Sequence, residues 1–157
     1  RTLDAMPLDW FIGPATLVDL APGGTLPPRT PLTVDMFEPH AEAFQPGERV
    51  IYRTGWNRMF GTKEYFCDYP TLTLEAARWI ADRRIRLLGM DTPTPSTNWK
   101  ECHLILLAPD VEIVIVEGLN NLEQLPKHFR LIALPLNIKG RDGSPIRAVA
   151  EVEDSAA

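Results

Sequence analysis

The clearest strand signal in the chain is the stretch VEIVIVE at Val111–Glu117. It places five apolar residues around Glu112 and ends in a carboxylate. A short, largely apolar run of this kind is typical of a strand buried within a sheet. We therefore predict a strand over this stretch, with its final carboxylate at the mouth of the sheet.

Segments with similar β-compatible character lie on both sides of this strand. We predict further strands at Ala15–Leu20, Arg49–Thr54, Ile85–Asp91, Phe129–Leu136 and Ile146–Val152. Helical spacing of apolar residues predicts a helix over Leu74–Arg83 that begins after the N-cap Thr73, and His103–Leu107 is compatible with a short helix. Strands and helices mixed in this order predict one compact, β-rich α/β domain over residues 1–157.

Composition and charge exclude several classes of protein. The 157 residues are 45% hydrophobic and 24% charged, which is typical of a globular chain and excludes a disordered one. The formal net charge is −5 and no block of Lys and Arg occurs, so we expect no nucleic-acid partner. Every apolar run is far shorter than the roughly 20 residues of a membrane helix, so we expect a soluble protein with no membrane partner. Cys67 and Cys102 are too few for a disulfide framework, which favours reduced thiols and a cytoplasmic location.

No local motif assigns a reaction to the chain. It has no Gly-rich phosphate loop, no G-x-S-x-G nucleophile motif and no H-E-x-x-H metal motif. Its three histidines, His40, His103 and His128, are not spaced to form a local two-histidine metal clamp. Because a metal hydrolase normally needs three or four protein ligands, this chain alone looks short of them.

Four residues near the ends of strands or helices are candidates for a site. His103 begins the apolar run HLILL, and Glu117 ends the strand quoted above, where sites of α/β proteins usually lie. Asp91 has a similar position, and Trp56 follows Gly55 at a strand end where it could line a substrate pocket. Taken alone, His103 and Glu117 are better explained by a capping or surface role. Capping of the following loop is the alternative for Asp91, and core packing is the more ordinary role of Trp56.

Six short segments occur in one order along nearly the whole chain. They are PLDWFIGPA at Pro7–Ala15, RVIYRTGW at Arg49–Trp56, GMDTP at Gly89–Pro93, HLILL at His103–Leu107, VEGLNNL at Val116–Leu122 and DGSPIRA at Asp142–Ala148. Together they resemble the cyclase-type metal-dependent hydrolases, the family that includes bacterial kynurenine formamidase and isatin hydrolase.

The resemblance implies a β-rich α/β fold that assembles as a homodimer or homotetramer. It also implies a site with one or two divalent ions, zinc or manganese, that hydrolyses a formamide or a cyclic amide such as N-formylkynurenine or isatin. His103 and Glu117 match the positions of two metal ligands of the family. Neither matches a general base, so the resemblance assigns no catalytic residue to this chain.

The chain also departs from the family. Nothing in it matches the main metal motif, His-x-Gly-Thr-His-x-Asp-x-Pro-x-His, which precedes the stretch equivalent to Arg1–Pro7. We therefore expect residues 1–157 to be the C-terminal part of a longer cyclase-family chain, with an N-terminal fragment of the same protein as a partner. The alternative is a catalytically inactive binding or oligomerisation module that has lost this motif. Smaller departures are Thr94 and Ser96, where the family commonly has Ser and Asp, and Gly118, where Asn is usual.

Overall fold

Strands and short helices alternate along residues 1–153, which are the residues that the computed structural model describes. The described strands are β1 (Ile12–Asp19), β2 (Pro31–Leu32), β3 (Arg49–Arg53), β4 (Thr71–Leu72), β5 (Leu87–Met90), β6 (Val114–Val116), β7 (His128–Ile132) and β8 (Val149–Glu151). The described α-helices are α1 (Val34–Phe37), α2 (Glu64–Cys67), α3 (Leu74–Asp82) and α4 (Trp99–Leu106). Short 3-10 helices occupy Leu3–Ala5, Leu8–Trp10, Glu38–Ala43, Trp56–Met59 and Leu122–Gln124.

Six of these strands form one mixed sheet in the order β6-β5-β3-β1-β7-β8. The four strands β1, β3, β5 and β6 are parallel, whereas β7 pairs antiparallel with both β1 and β8. The strands β2 and β4 form a separate parallel pair. Parallel strands joined by helical connections define an α/β architecture, which confirms the predicted fold class.

The helices α1, α3 and α4 cover one face of the large sheet. Val50 and Tyr52 of β3 and Leu88 of β5 lie in one buried cluster with Ile80 of α3 and Leu106 of α4. Burying such a side chain contributes about 1.5–3 kcal/mol, so this cluster fixes both helices against the sheet. The position of α4 relative to the strand ends follows from this packing.

The opposite face of the sheet packs against irregular chain. Successive side chains of a strand point to opposite faces of the sheet. Ile51 and Leu87 therefore point away from the face covered by helices and pack with Val116. Leu122 and Ala133, which lie outside the strands, also belong to this second cluster. The sheet is therefore buried on both faces at its parallel strands, although α1, α3 and α4 all lie on one side.

The helix predicted over Leu74–Arg83 is present as α3. The hydroxyl oxygen of Thr73 accepts a hydrogen bond of 3.1 Å from the backbone N–H of Ala76, so Thr73 is the N-cap that the sequence predicts. The short helix expected at His103–Leu107 is longer than predicted, because α4 begins at Trp99. None of the described helices has the length and apolar character that crossing a membrane requires.

The strand predicted over Val111–Glu117 is wrong in its first part. The backbone N–H groups of Val111 and Glu112 both donate to the carbonyl of Ala108, over 2.8 and 2.9 Å, and Glu112 has a φ of +51°. These residues form a turn after α4, so the strand β6 begins only at Val114. Turn hydrogen bonds take up the backbone groups that a strand would use in its ladder.

The two C-terminal strands are also shorter than predicted. The strand predicted at Phe129–Leu136 ends at Ile132, because its partner β1 begins at Ile12, the residue opposite Ile132. The strand predicted at Ile146–Val152 begins at Val149, which pairs with Ile132. Residues before Val149 have no remaining part of β7 to pair with, so one early ending shortens both strands.

Candidate functional site

The candidate site lies where the parallel strands β3, β5 and β6 end. Parallel strands present their carboxyl ends at one edge of the sheet, and this is where α/β proteins usually bind ligands. The residues that follow these three strands are Thr54, Asp91 and Glu117, respectively. Thr54 and Asp91 are fully buried, whereas the side chain of Glu117 is 39% exposed.

The structure brings the two predicted metal ligands together. The Nε2 atom of His103 on α4 lies 3.7 Å from Oε1 of Glu117. On the other side of the ring, Nδ1 of His103 lies 2.7 Å from the backbone carbonyl oxygen of Trp99. A carbonyl can only accept a hydrogen bond, so Nδ1 carries the proton, and the neutral imidazole keeps its free lone pair on Nε2. This second contact on the distal nitrogen is the arrangement usual for metal-binding histidines.

The helix α4 has the right orientation to present His103. Its neighbours Cys102 and Leu106 are fully buried in the core under the helix, whereas the imidazole keeps 29% of its surface exposed. Cys102 and Leu106 define the buried face of the helix, and His103 lies to one side of that face. A side chain in this position can reach both the edge of the core and solvent. His103 therefore faces the strand ends as a consequence of the apolar pattern of the helix.

The loop after β6 holds Glu117 by backbone hydrogen bonds to the end of β5. The N–H of Gly118 donates to the carbonyl of Thr92 over 2.9 Å, and the N–H of Leu119 donates to the carbonyl of Met90 over 2.9 Å. Gly118 has a φ of +69°, a left-handed conformation that glycine adopts without strain and that asparagine tolerates better than most residues. Glycine at this position is thus compatible with the asparagine that is usual in the resembled family.

Asp91 is a structural carboxylate. Its oxygens accept hydrogen bonds from the Thr54 N–H at 3.0 and 3.1 Å, from the Thr54 hydroxyl at 2.7 Å and from the Gly55 N–H at 2.7 Å. Burial raises the pKa of Asp91, and the hydrogen bonds from Thr54 and Gly55 oppose part of that shift. Asp91 therefore caps the turn after β3, whereas the sequence suggested that it caps the loop following β5.

Trp56 is placed in the core. Its ring is only 2% exposed and packs with Tyr65 and Tyr69, and its indole N–H donates to the backbone carbonyl of Tyr65 over 3.1 Å. Trp56 is not among the residues that line the cavity beside His103. A contact between Trp56 and a substrate stays a prediction that this placement does not support.

A cavity of about 860 Å³ opens beside His103 and Glu117 and runs along the strand β6. Its lining includes apolar side chains of the second core cluster, among them Val116 and Ala133. An ion pair of 3.1 Å between Arg1 and Glu112 also borders it. This volume is within the range of cavities that hold small-molecule ligands.

The pair formed by His103 and Glu117 can be compared with the geometry of a metal site. Two ligands with bonds of about 2.1 Å to one ion lie at most about 4 Å apart, so the 3.7 Å between His103 and Glu117 fits a shared ion. Within residues 1–153, no group of three or more His, Cys, Asp or Glu side chains could hold a metal. The two donors fit a divalent cation in type and spacing, but a closed site needs more ligands than these.

Sequence reasoning did not find Tyr65. Its hydroxyl donates to the backbone carbonyl of Asp91 over 3.2 Å, and the same oxygen lies 3.5 Å from the point where a Cβ atom on Gly118 would stand. Burial, with the nearby charges of Asp91 and Glu117, raises the pKa of Tyr65 to about 12. No local pattern marks this tyrosine, because its approach to two strand ends depends on the path of the irregular chain after Trp56.

Comparison with known proteins defines the family. The cyclase family model matches residues 1–96, which is more than half of the chain. The chain therefore belongs to the cyclase family, in agreement with the six segments of its sequence.

Particular relatives agree with this assignment. The kynurenine formamidase of Bordetella avium is 32% identical over 148 residues, covering 92% of this chain and 65% of that protein. The kynurenine formamidase of Salinibacter ruber is 31% identical over 153 residues, covering 95% of this chain and 67% of that protein. The chain thus spans about two-thirds of the length of these curated relatives.

Solved structures show the same fold. Isatin hydrolase A from Ralstonia solanacearum superposes with a TM-score of 0.82 at 26% identity, covering 98% of this chain and 65% of that structure. A structure described as a potential metal-dependent hydrolase with cyclase activity gives a TM-score of 0.77 at 25% identity, covering 96% of this chain and 70% of that structure.

Proposed function

We propose that this protein contributes His103 and Glu117 to the divalent metal site of a hydrolase that acts on a formamide or a cyclic amide. The observation that carries the proposal is the 3.7 Å separation between His103 Nε2 and Glu117 Oε1. The named activities of its relatives, kynurenine formamidase and isatin hydrolase, support amide hydrolysis as the reaction class. These names also support a small-molecule amide as the substrate, with N-formylkynurenine and isatin as the first compounds to test.

The donor set suits zinc and manganese alike. A neutral imidazole nitrogen and a carboxylate oxygen are ligands that both ions accept, so these two residues do not choose between them. When bound, a divalent ion lowers the pKa of a water and offsets negative charge on an amide oxygen. His103 and Glu117 would supply two ligands for that chemistry, and neither of them is assigned as a general base.

The residues of this chain have defined tasks in the proposed site. The Nδ1–H of His103 donates to the Trp99 carbonyl and thereby keeps the Nε2 lone pair directed at the metal position. The carboxylate of Glu117 supplies a negative charge that attracts a cation. The apolar walls of the adjoining cavity exclude part of the water and offer space for the substrate.

Further ligands must come from outside the described residues. The strand β6 lies at the end of the large sheet, so within residues 1–153 its outer edge pairs with no other strand, and the cavity runs beside it. An unpaired strand edge readily binds another segment of polypeptide. We place the missing donors on such a segment, either an N-terminal fragment of the same protein or the partner subunit of a homodimer or homotetramer.

The test is metal content and hydrolysis in protein expressed from the complete gene. We expect zinc or manganese to co-purify in stoichiometric amount, and we expect hydrolysis of N-formylkynurenine or isatin to cease on chelation and return with added metal. Protein that contains no such metal and hydrolyses neither compound with zinc or manganese added would refute the proposal. That result would instead favour the inactive binding or oligomerisation module.

A further inference from the structure

Tyr65 connects three parts of the structure that meet at Glu117. The carboxylate of Asp91 binds the turn after β3, and the carbonyl of Asp91 accepts the hydrogen bond from the Tyr65 hydroxyl. The next carbonyl, that of Thr92, accepts the hydrogen bond from Gly118, the residue after Glu117. The Tyr65 hydroxyl therefore lies at the junction between the end of β5 and the loop that carries the proposed metal ligand.

Surrounding side chains hold the ring of Tyr65 in place. Phe60 and Phe66 both pack edge-on against it, with ring centroids 5.3 and 4.9 Å away and interplanar angles of 79° and 88°. The indole N–H of Trp56 donates to the Tyr65 backbone carbonyl over 3.1 Å. Edge-on aromatic packing is directional, so these contacts limit rotation and tilting of the tyrosine ring.

The Tyr65 hydroxyl also covers Gly118. The oxygen is 3.5 Å from the ideal Cβ position on Gly118, which is ordinary van der Waals distance. Gly118 has a positive φ, so the path of the chain that follows Glu117 depends on a residue with a wide choice of backbone conformations. A buried hydroxyl against this glycine restricts that choice.

We propose that Tyr65 is a positioning residue that fixes the Glu117–Gly118 turn and thereby directs the Glu117 carboxylate at His103. The metal-binding part of this inference rests on the proposed function, whereas the effect on the turn does not. Trp56 acts in the same arrangement as a support for Tyr65, which explains its burial at a strand end.

The decisive variant is Tyr65→Phe, which removes the hydroxyl and keeps the ring. Tyr52→Phe is the matched control, because Tyr52 is also a buried tyrosine but its hydroxyl donates to the sulfur of Met90. Amide hydrogen exchange at Gly118 and Leu119 reports the turn in metal-free protein. Isothermal titration of Zn²⁺ into protein expressed from the complete gene reports metal binding, and thermal unfolding confirms that each variant is folded.

We expect Tyr65→Phe to exchange the Gly118 amide about tenfold faster and to bind Zn²⁺ about tenfold more weakly, in line with the usual effect of removing a supporting hydrogen bond near a metal ligand. Tyr52→Phe should stay within about twofold of the unaltered protein in both measurements. Unchanged exchange in Tyr65→Phe, or faster exchange with unchanged Zn²⁺ affinity, would overturn the positioning role. If the unaltered protein expressed from the complete gene binds neither Zn²⁺ nor Mn²⁺, the proposed function fails, while faster Gly118 exchange in Tyr65→Phe would still support the contact of Tyr65 with the turn.

Discussion

The imidazole of His103 and the carboxylate of Glu117 face each other across 3.7 Å, although one belongs to a helix and the other to a strand end. Core packing of α4 fixes the position of His103, and backbone hydrogen bonds between the loop after β6 and the end of β5 fix the position of Glu117. The pair is therefore a product of the parallel sheet and of the helix packed on it.

The N-cap of α3 offers a direct test of the fold. Thr73→Ala removes the side-chain hydrogen bond to the Ala76 N–H and should lower the free energy of unfolding by about 1 kcal/mol. Thr33→Ala is the control, because Thr33 also precedes a helix but makes no side-chain capping bond there. Urea unfolding should show the larger loss in Thr73→Ala, and equal losses in the two variants would contradict the assignment.

The Asp91 carboxylate should not tolerate replacement by an amide. Asp91→Asn keeps one acceptor oxygen but turns an NH₂ group toward the N–H donors of Thr54 and Gly55, leaving a buried donor unsatisfied. We expect a loss of about 1–3 kcal/mol in the free energy of unfolding. The control Asp110→Asn alters a carboxylate whose side chain is 75% exposed and should change stability by less than about 0.5 kcal/mol. Similar values for the two variants in urea unfolding would contradict the structural role of Asp91.

Gly118 should accept asparagine better than valine. The φ of +69° lies in the left-handed region, which asparagine tolerates and a β-branched residue resists. We expect Gly118→Val to lose about 1–3 kcal/mol of stability and Gly118→Asn distinctly less. Thermal and urea unfolding measure the difference, and a valine variant as stable as the asparagine variant would show that the turn has another conformation.

The three tyrosines of the chain should all ionise at a higher pH than an exposed tyrosine. Burial raises the pKa of Tyr52, Tyr65 and Tyr69, in the case of Tyr65 to about 12. A hydroxyl with a raised pKa stays protonated longer in the folded protein, so its contribution to stability is complete below about pH 10 and is lost as the pH rises toward 12. Absorbance at 295 nm should show little tyrosinate at pH 10 in the folded protein and about half ionisation in urea. One full tyrosine ionising near pH 10 in the folded state would contradict this burial.

Sequence reasoning predicted the elements that depend on local pattern. Thr73 and the helix after it, the strand at Arg49 and the mixed α/β class all follow from spacing and composition, and the structure confirms them. The predicted start of β6 was wrong, because hydrogen bonds to the Ala108 carbonyl turn the chain at Glu112. An apolar run in the sequence does not reveal such a turn.

The two candidate ligands of the site could be predicted from the sequence, but the side chains that pack around them could not. His103 and Glu117 were singled out by position and by resemblance, and the structure places them side by side. Core packing was the more ordinary expectation for Trp56, and the structure buries it, whereas the contacts of Tyr65 were not predictable because they depend on how an irregular segment folds back onto the ends of β5 and β6. Pairwise contacts of this kind leave no periodic trace in the sequence.

The most direct measurement of the central claim is Zn²⁺ affinity of His103→Ala and Glu117→Gln in protein expressed from the complete gene, with Glu101→Gln as the control for an exposed carboxylate on the same helix as His103. Loss of either ligand should weaken binding at least tenfold, whereas Glu101→Gln should bind like the unaltered protein. Affinities for Zn²⁺ that are unchanged in both ligand variants would contradict a metal shared by His103 and Glu117.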